Sequence, residues 1–105
     1  MSSTGVVEVR DVPDSARYEV TLDAAPAGYT AYMLRPGLIA FVHTEIEERF
    51  EGHGLASRLI AFALDDARGR GLAVFPLCPF VNEFIERHPE YLDLVPSEHR
   101  ARFGL

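Results

Sequence analysis

The sequence predicts an α+β fold with α/β-type layering: a mixed, mostly antiparallel sheet, its fourth and fifth strands parallel, with two main helices. Three observations carry that expectation. Four short apolar or alternating runs follow one another within residues 6–44, separated only by turns. A loop with two closely spaced glycines, Arg49-Phe50-Glu51-Gly52-His53-Gly54, then opens a segment with helical spacing. A fifth apolar run and a second helical segment follow it.

The elements are justified in order. Val6-Val7-Glu8-Val9-Arg10 reads as the first strand, and Asp11-Val12-Pro13-Asp14-Ser15 as its turn. From Arg17 to Asp23 the chain alternates strictly, with Tyr18, Val20 and Leu22 on one face and Arg17, Glu19, Thr21 and Asp23 on the other. That is the pattern of a half-buried strand. Ala24 to Gly28 reads as a Pro-containing connection, Tyr29 to Arg35 as the third strand, and Pro36-Gly37 as a tight turn. Leu38 to Thr44 is apolar on both faces for most of its length, so it is expected at the centre of the sheet.

Between Gly54 and Arg70, residues Ala56, Leu59, Ile60, Ala63 and Ala67 recur at helical spacing, with Gly69 or Gly71 as the stop. Leu72 to Phe75 is the fifth strand, parallel to the fourth by a right-handed crossover. Pro76 and Pro79 end it, because neither can donate a ladder hydrogen bond. Phe80 to Arg87 is the second helix, stopped at His88-Pro89, and Tyr91 to Val95 is expected to pack back on the sheet. Residues 1–5 and 97–105 are expected to be flexible.

The 105 residues suit one domain spanning 1–105, and 48% apolar with 25% charged content is ordinary globular composition. The net charge is −6, and all ten basic residues are arginines with no stripe among them. That argues against a nucleic-acid partner. The longest apolar run, Leu59 to Leu64, is too short for a bilayer, and Met1 to Gly5 has no signal-peptide character. A cytoplasmic protein without a membrane partner is expected, as a monomer or weak homodimer. The single cysteine, Cys78, offers neither an intramolecular disulfide nor a thiolate cage, and His43, His53, His88 and His99 show no ligand spacing, so no metal site is expected.

The loop carries the chemistry. Gly52 and Gly54 permit backbone angles closed to other residues and allow close approach by a ligand. A glycine loop feeding a helix leaves unpaired N–H groups at the positive end of the helix dipole, which suits phosphate oxygens. Beside it, His43 and Glu45 at the end of the fourth strand have the chemistry of proton acceptors.

The pattern Arg49-x-x-Gly52-x-Gly54-x-Ala56 resembles the pyrophosphate loop of the GNAT superfamily of acetyl-CoA-dependent N-acetyltransferases. His43-Thr44-Glu45, Glu51 to Ser57, Ala63 to Arg68, Pro76 to Val81 and Arg87 to Tyr91 extend the resemblance, and bring it closest to the small single-domain YjdJ-type branch. The resemblance implies a minimal GNAT fold with the fourth and fifth strands splayed, and acetyl-CoA as the cofactor. It implies that the pantetheine arm pairs with the strand edge at Phe41, Val42, His43 and Thr44. The pyrophosphate would rest on Phe50, Glu51, Gly52, His53, Gly54, Leu55 and Ala56, with Arg49 or Arg58 as charged contacts. Cys78 is implied beside the thioester, as a partly exposed thiol that accepts the acetyl group or lines the pocket. Otherwise an amine attacks directly, with His43 or Glu45 as base. The tyrosine that many members use as acid corresponds most nearly to Phe84, which has no proton to give; Tyr91 or Cys78 would have to serve.

Two functions are therefore expected from this reading. One is transfer of an acetyl group from acetyl-CoA to an amine, on a small molecule or a protein. The other is a non-catalytic acyl-CoA-binding or interaction module, favoured by first strands joined by turns where larger members insert helices.

Overall fold

The computed structural model describes residues 5–105, so the expectation for Met1 to Thr4 lies outside the described residues. One sheet holds five strands in chain order: β1 (Val7–Val12), β2 (Arg17–Leu22), β3 (Ala25–Arg35), β4 (Leu38–Ile46) and β5 (Ala73–Pro76). The first three pairings are antiparallel and β4–β5 is parallel. Two α-helices, α1 (Leu55–Gly69) and α2 (Pro79–Arg87), complete the α+β fold that the sequence predicts.

The helix α1 forms because Leu55, Leu59, Ile60, Ala63, Leu64 and Ala67 fall on one stripe, and all six are buried. Each large aliphatic among them contributes about 1.5–3 kcal/mol by leaving water. The stripe lies across all five strands, on Tyr18, Val20, Ile39, Phe41 and Val74. Gly71 ends the helix in the left-handed region at φ +69°, with Leu72 N–H donating to Ala67 C=O and Gly71 N–H to Arg68 C=O. That is a Schellman close, and it selects Gly71 from the two candidate stops.

Three expectations change. The connection expected from Ala24 to Gly28 is only Asp23-Ala24, both at positive φ, and β3 already starts at Ala25. Pro26 and Gly28 look like breakers, but Ala27 is an extra residue in a bulge that absorbs the proline. Gly28 is needed for contact: a Cβ there would run into the Glu45 carbonyl oxygen on β4. Second, β4 runs two residues past Thr44. Third, β4, expected at the centre of the sheet, is the fourth of five strands, next to the edge strand β5. The tail carries two 3-10 turns, Ser97–His99 and Ala101–Phe103. His99 and Phe103 meet the Phe75 ring edge-on at 4.9 and 5.5 Å, and Asn82 Nδ2 donates to Phe103 C=O at 2.8 Å.

Buried tyrosines tie the layers together. Tyr18 donates to Asp66 at 2.6 Å, Tyr32 to Asp11 at 2.7 Å and Tyr91 to Asp65 at 2.9 Å. Arg70 closes the first two pairs into one cluster through Asp11 and Asp66. Burial, then the hydrogen bond to a carboxylate, pushes Tyr32 and Tyr91 up to about 12. Because the folded chain holds these protons more tightly, their stabilisation is complete below about pH 10 and is lost as pH rises toward 12. Urea unfolding at about pH 8 and about pH 11 is expected to show a lower midpoint at the higher pH, with Tyr91→Phe reducing the difference.

Candidate functional site

The site is built around one extra residue in β4. Ala31 pairs with His43 and Tyr32 with Phe41, so Val42 has no partner. Such a bulge resets the alternation of side chains. Ile39 and Phe41 point to α1, and beyond the bulge Thr44 and Ile46 take up that face while His43 and Glu45 fall on the other.

The parallel pairing also ends here. Phe41 opposite Pro76 is the last β4–β5 pair, and Cys78 N–H donates to Phe41 C=O at 2.7 Å. Past this point β4 continues to Ile46, paired with β3 on one side and with no strand on the side where β5 ran. Glu47 N–H donates to Ala27 C=O on β3, so by alternation the backbone groups of Thr44 and Ile46 face the open side. This is the free edge that the splayed strands were expected to leave.

A cleft of about 380 Å³ opens at that edge, lined by Thr44, Ile46, Phe50, Glu51, Gly52, Gly54, Leu55, Ala56, Ser57 and Phe80. Gly52 and Gly54 hold φ values of +88° and +73°, and a Cβ at either meets nothing within 4 Å. Gly54 is the N-cap of α1 and supplies no side-chain cap. Among the described residues, no amide from Gly52 through Ser57 donates to another protein group, while Arg58 N–H closes the first helical bond to Gly54 C=O. Six successive donors without acceptors lie beside the cleft at the positive end of a 15-residue helix.

The residues expected at the site fall into three groups. Thr44, Phe50, Glu51, Gly52, Gly54, Leu55 and Ala56 line the cleft, and His53 is exposed within the same loop. Phe41 is buried and Val42 stands out as the bulge. Arg49 lies over the Phe50 ring at 4.5 Å and pairs with Glu47, whereas Arg58 is exposed on the first turn of α1. Ile46, Ser57 and Phe80 are the additions. Their signals were the continuation of the strand, the first helical turn after the loop, and the start of α2.

Of the three candidate catalytic residues, His43 and Glu45 are brought together and Cys78 lies apart from them. His43 and Glu45 lie across β4 from the cleft, with His43 Nε2 and the Tyr29 hydroxyl both 3.2 Å from Glu45 Oε1. Cys78 is not the partly exposed thiol expected: it is 3% exposed, and its Sγ donates to Thr44 Oγ1 at 3.4 Å. Thr44 in turn meets the buried Thr30 hydroxyl at 2.9 Å. Phe84 is buried and stacked on His88, and the Tyr91 hydroxyl is committed to Asp65.

A mixed sheet with a glycine loop between its fourth strand and its first helix defines a small α+β protein. A family model described as GCN5-related N-acetyl-transferase matches residues 17–94, from the start of β2 through the turn after α2. The chain belongs to the GCN5-related N-acetyl-transferase family, and its fold is an acyltransferase-type domain.

The buried thiol gives a direct test. Cys78 is expected to resist alkylation by iodoacetamide in the native protein and to react readily in urea. Thr44→Val removes the hydroxyl that both the Cys78 thiol and the buried Thr30 hydroxyl bond to, and is expected to cost about 1–3 kcal/mol in urea unfolding.

Proposed function

We propose that the protein transfers an acetyl group from acetyl-CoA to an amine. The observation that carries this reading is the row of unpartnered amides from Gly52 to Ser57 along a cleft that ends at the free edge of β4. These residues fit coenzyme A. The amides and the helix dipole suit its pyrophosphate, and the glycines leave open the space that a Cβ would fill. Thr44 and Ile46 offer backbone groups to the amides of the pantetheine arm. Arg58 stands one turn along from the loop, as a charged contact for the phosphates. Acetyl-CoA supplies the activated acyl group when bound. The protein's own part is to orient it along β4 and to receive the proton that an ammonium must lose before it attacks.

The burial of Cys78 favours direct attack over an acetyl-cysteine route. A second reading has its own support. Phe84 has no acidic hydrogen and Tyr91 is held by Asp65, so no hydroxyl among those foreseen is free to protonate a departing thiolate. That favours a coenzyme-A-binding module without catalysis. Release of free thiol from acetyl-CoA over time, with n-butylamine, spermidine and an Nα-blocked lysine as acceptors, separates the two. Amine-dependent release is expected; coenzyme A binding without release would select the binding module.

The loop assignment has its own measurement. Gly54→Asp places a carboxylate where phosphate must approach and is expected to abolish coenzyme A binding by calorimetry. Arg58→Ala is expected to weaken it by about 1.5–3 kcal/mol, the worth of a charge-assisted hydrogen bond. Unchanged affinity in a folded Gly54→Asp protein would refute the phosphate loop.

A further inference from the structure

We propose that the outer edge of β1 is a dimer seam, on which a second copy of this chain lays its own β1 antiparallel, with Val9 opposite the partner's Val9. No residue of β1 lines the glycine-loop cleft, so the seam stands or falls apart from acetyl transfer.

The strand β1 closes one end of the sheet. It pairs with β2 on one side, and among the described residues no strand pairs with its other side. The phase of the β1–β2 pairing fixes which groups are open. Asp23 N–H donates to Val6 C=O at 2.8 Å, so Val6 turns its backbone toward β2. The register from Val7–Leu22 to Val12–Arg17 runs without a shift, so by alternation Glu8, Arg10 and Val12 also turn toward β2. Val7, Val9 and Asp11 therefore send their N–H and C=O groups outward. An open edge of this kind is a template for another strand.

The side chains select the strand that fits. Edge strands are commonly kept single by their charges, and two charges of one sign would do that here. The charges are instead opposite and evenly placed about Val9, with Glu8 before it and Arg10 after it. Outward groups meet only when an outward residue faces an outward residue. With Val7 opposite the partner's Val9, Glu8 faces the partner's Glu8. With Val9 opposite the partner's Asp11, Arg10 faces the partner's Arg10. Both registers set like charges directly opposite, which is destabilising. With Val9 opposite the partner's Val9, Glu8 faces the partner's Arg10 and Arg10 faces the partner's Glu8. That register also sets Val6 against the partner's Val12, and it pairs every outward N–H and C=O from Val7 to Asp11. Larger shifts, to Val7 on the partner's Val7 or Asp11 on the partner's Asp11, engage a single outward residue of each copy.

The residues concerned are available. Val6 is 61% exposed, and the Arg10 side chain is 74% exposed with a long contact of 3.8 Å to Glu19. The Asp11 carboxylate is already held by Tyr32 and Arg70, so the seam leaves no charge unpaired there. A two-fold axis through Val9 makes the contact isologous and closes it at two copies. One short strand from each copy is a small interface, so the dimer is weak and forms with rising concentration.

The test uses the full chain and needs no ligand. Sedimentation velocity is expected to show monomer passing to dimer as protein concentration rises. Glu8 and Arg10 are exposed, so Glu8→Arg and Arg10→Glu are expected to keep the native circular dichroism. Each sets like charges opposite twice over and is expected to weaken the dimer by at least about tenfold. Mixed in equal amounts, the two variants are expected to form a heterodimer, because each arginine of one then faces a glutamate of the other. In the wild-type protein, amide exchange at Val7, Val9 and Asp11 is expected to slow as concentration rises, while the Glu8 and Arg10 amides, bonded to β2, do not change. Monomer alone at about 1 mM protein, where even millimolar affinity populates a dimer, overturns the proposal. A dimer that both variants leave intact, or that their mixture fails to restore, overturns it too. Slow exchange at Val7, Val9 and Asp11 at every concentration would put a segment of the same chain on the edge and remove the second copy.

Discussion

Val42 has no partner on β3, and most of what the site can do depends on that one extra residue. A regular β4 would put Phe41, His43 and Glu45 on one face, burying a histidine and a carboxylate under α1. The bulge keeps Ile39 and Phe41 in the core, turns Thr44 and Ile46 toward the cleft and sends His43 and Glu45 to the solvent side. Burying an ionised carboxylate without a partner costs several kcal/mol, so the bulge relieves a conflict between packing and chemistry. It also falls where β5 stops at Pro76, so a free edge and a change of face occur together.

The rest of the molecule holds that strand in place. The apolar stripe of α1 packs over the sheet, and the Tyr18–Asp66 and Tyr32–Asp11 bonds, joined by Arg70, pin its C-terminal end to β1, β2 and β3. Its N-terminal end is left without a side-chain cap. The two ends thus do different work: one is closed by a Schellman turn and ion pairs, the other keeps its donors open. Gly54 as N-cap gives up only about a few tenths of a kcal/mol against a serine or aspartate cap and leaves the first-turn amides without a side-chain acceptor.

Much of this was legible in the residues. The alternation from Arg17 to Leu22, the apolar run of β4 and the helical spacing after Gly54 are local signals, and the corresponding elements form where expected. The glycine loop was legible because positive φ and a missing cap both leave marks on sequence. The bulges were not. Nothing in Phe41-Val42-His43 says that one residue will be skipped in pairing, because that is decided by β3 and by packing on α1. The early start of β3 was hidden for the same reason, since Pro26 carries a breaker's signature that only the partner strand contradicts. The burial of Cys78 against Thr44 and the Tyr29–Glu45 hydrogen bond depend on contacts 34 and 16 residues away in the chain, which no local pattern records.

β4 divides the molecule into a face with the glycine-loop cleft, proposed here to take coenzyme A, and a far face. The most direct measurement is the change in backbone amide NMR signals as coenzyme A is titrated in. The account predicts that the largest shifts fall on Gly52 to Ser57 and on Thr44 and Ile46, with Glu19 and Thr21 on the far face unmoved. Shifts centred on β1 and β2, with the Gly52 to Ser57 amides unchanged, would contradict it.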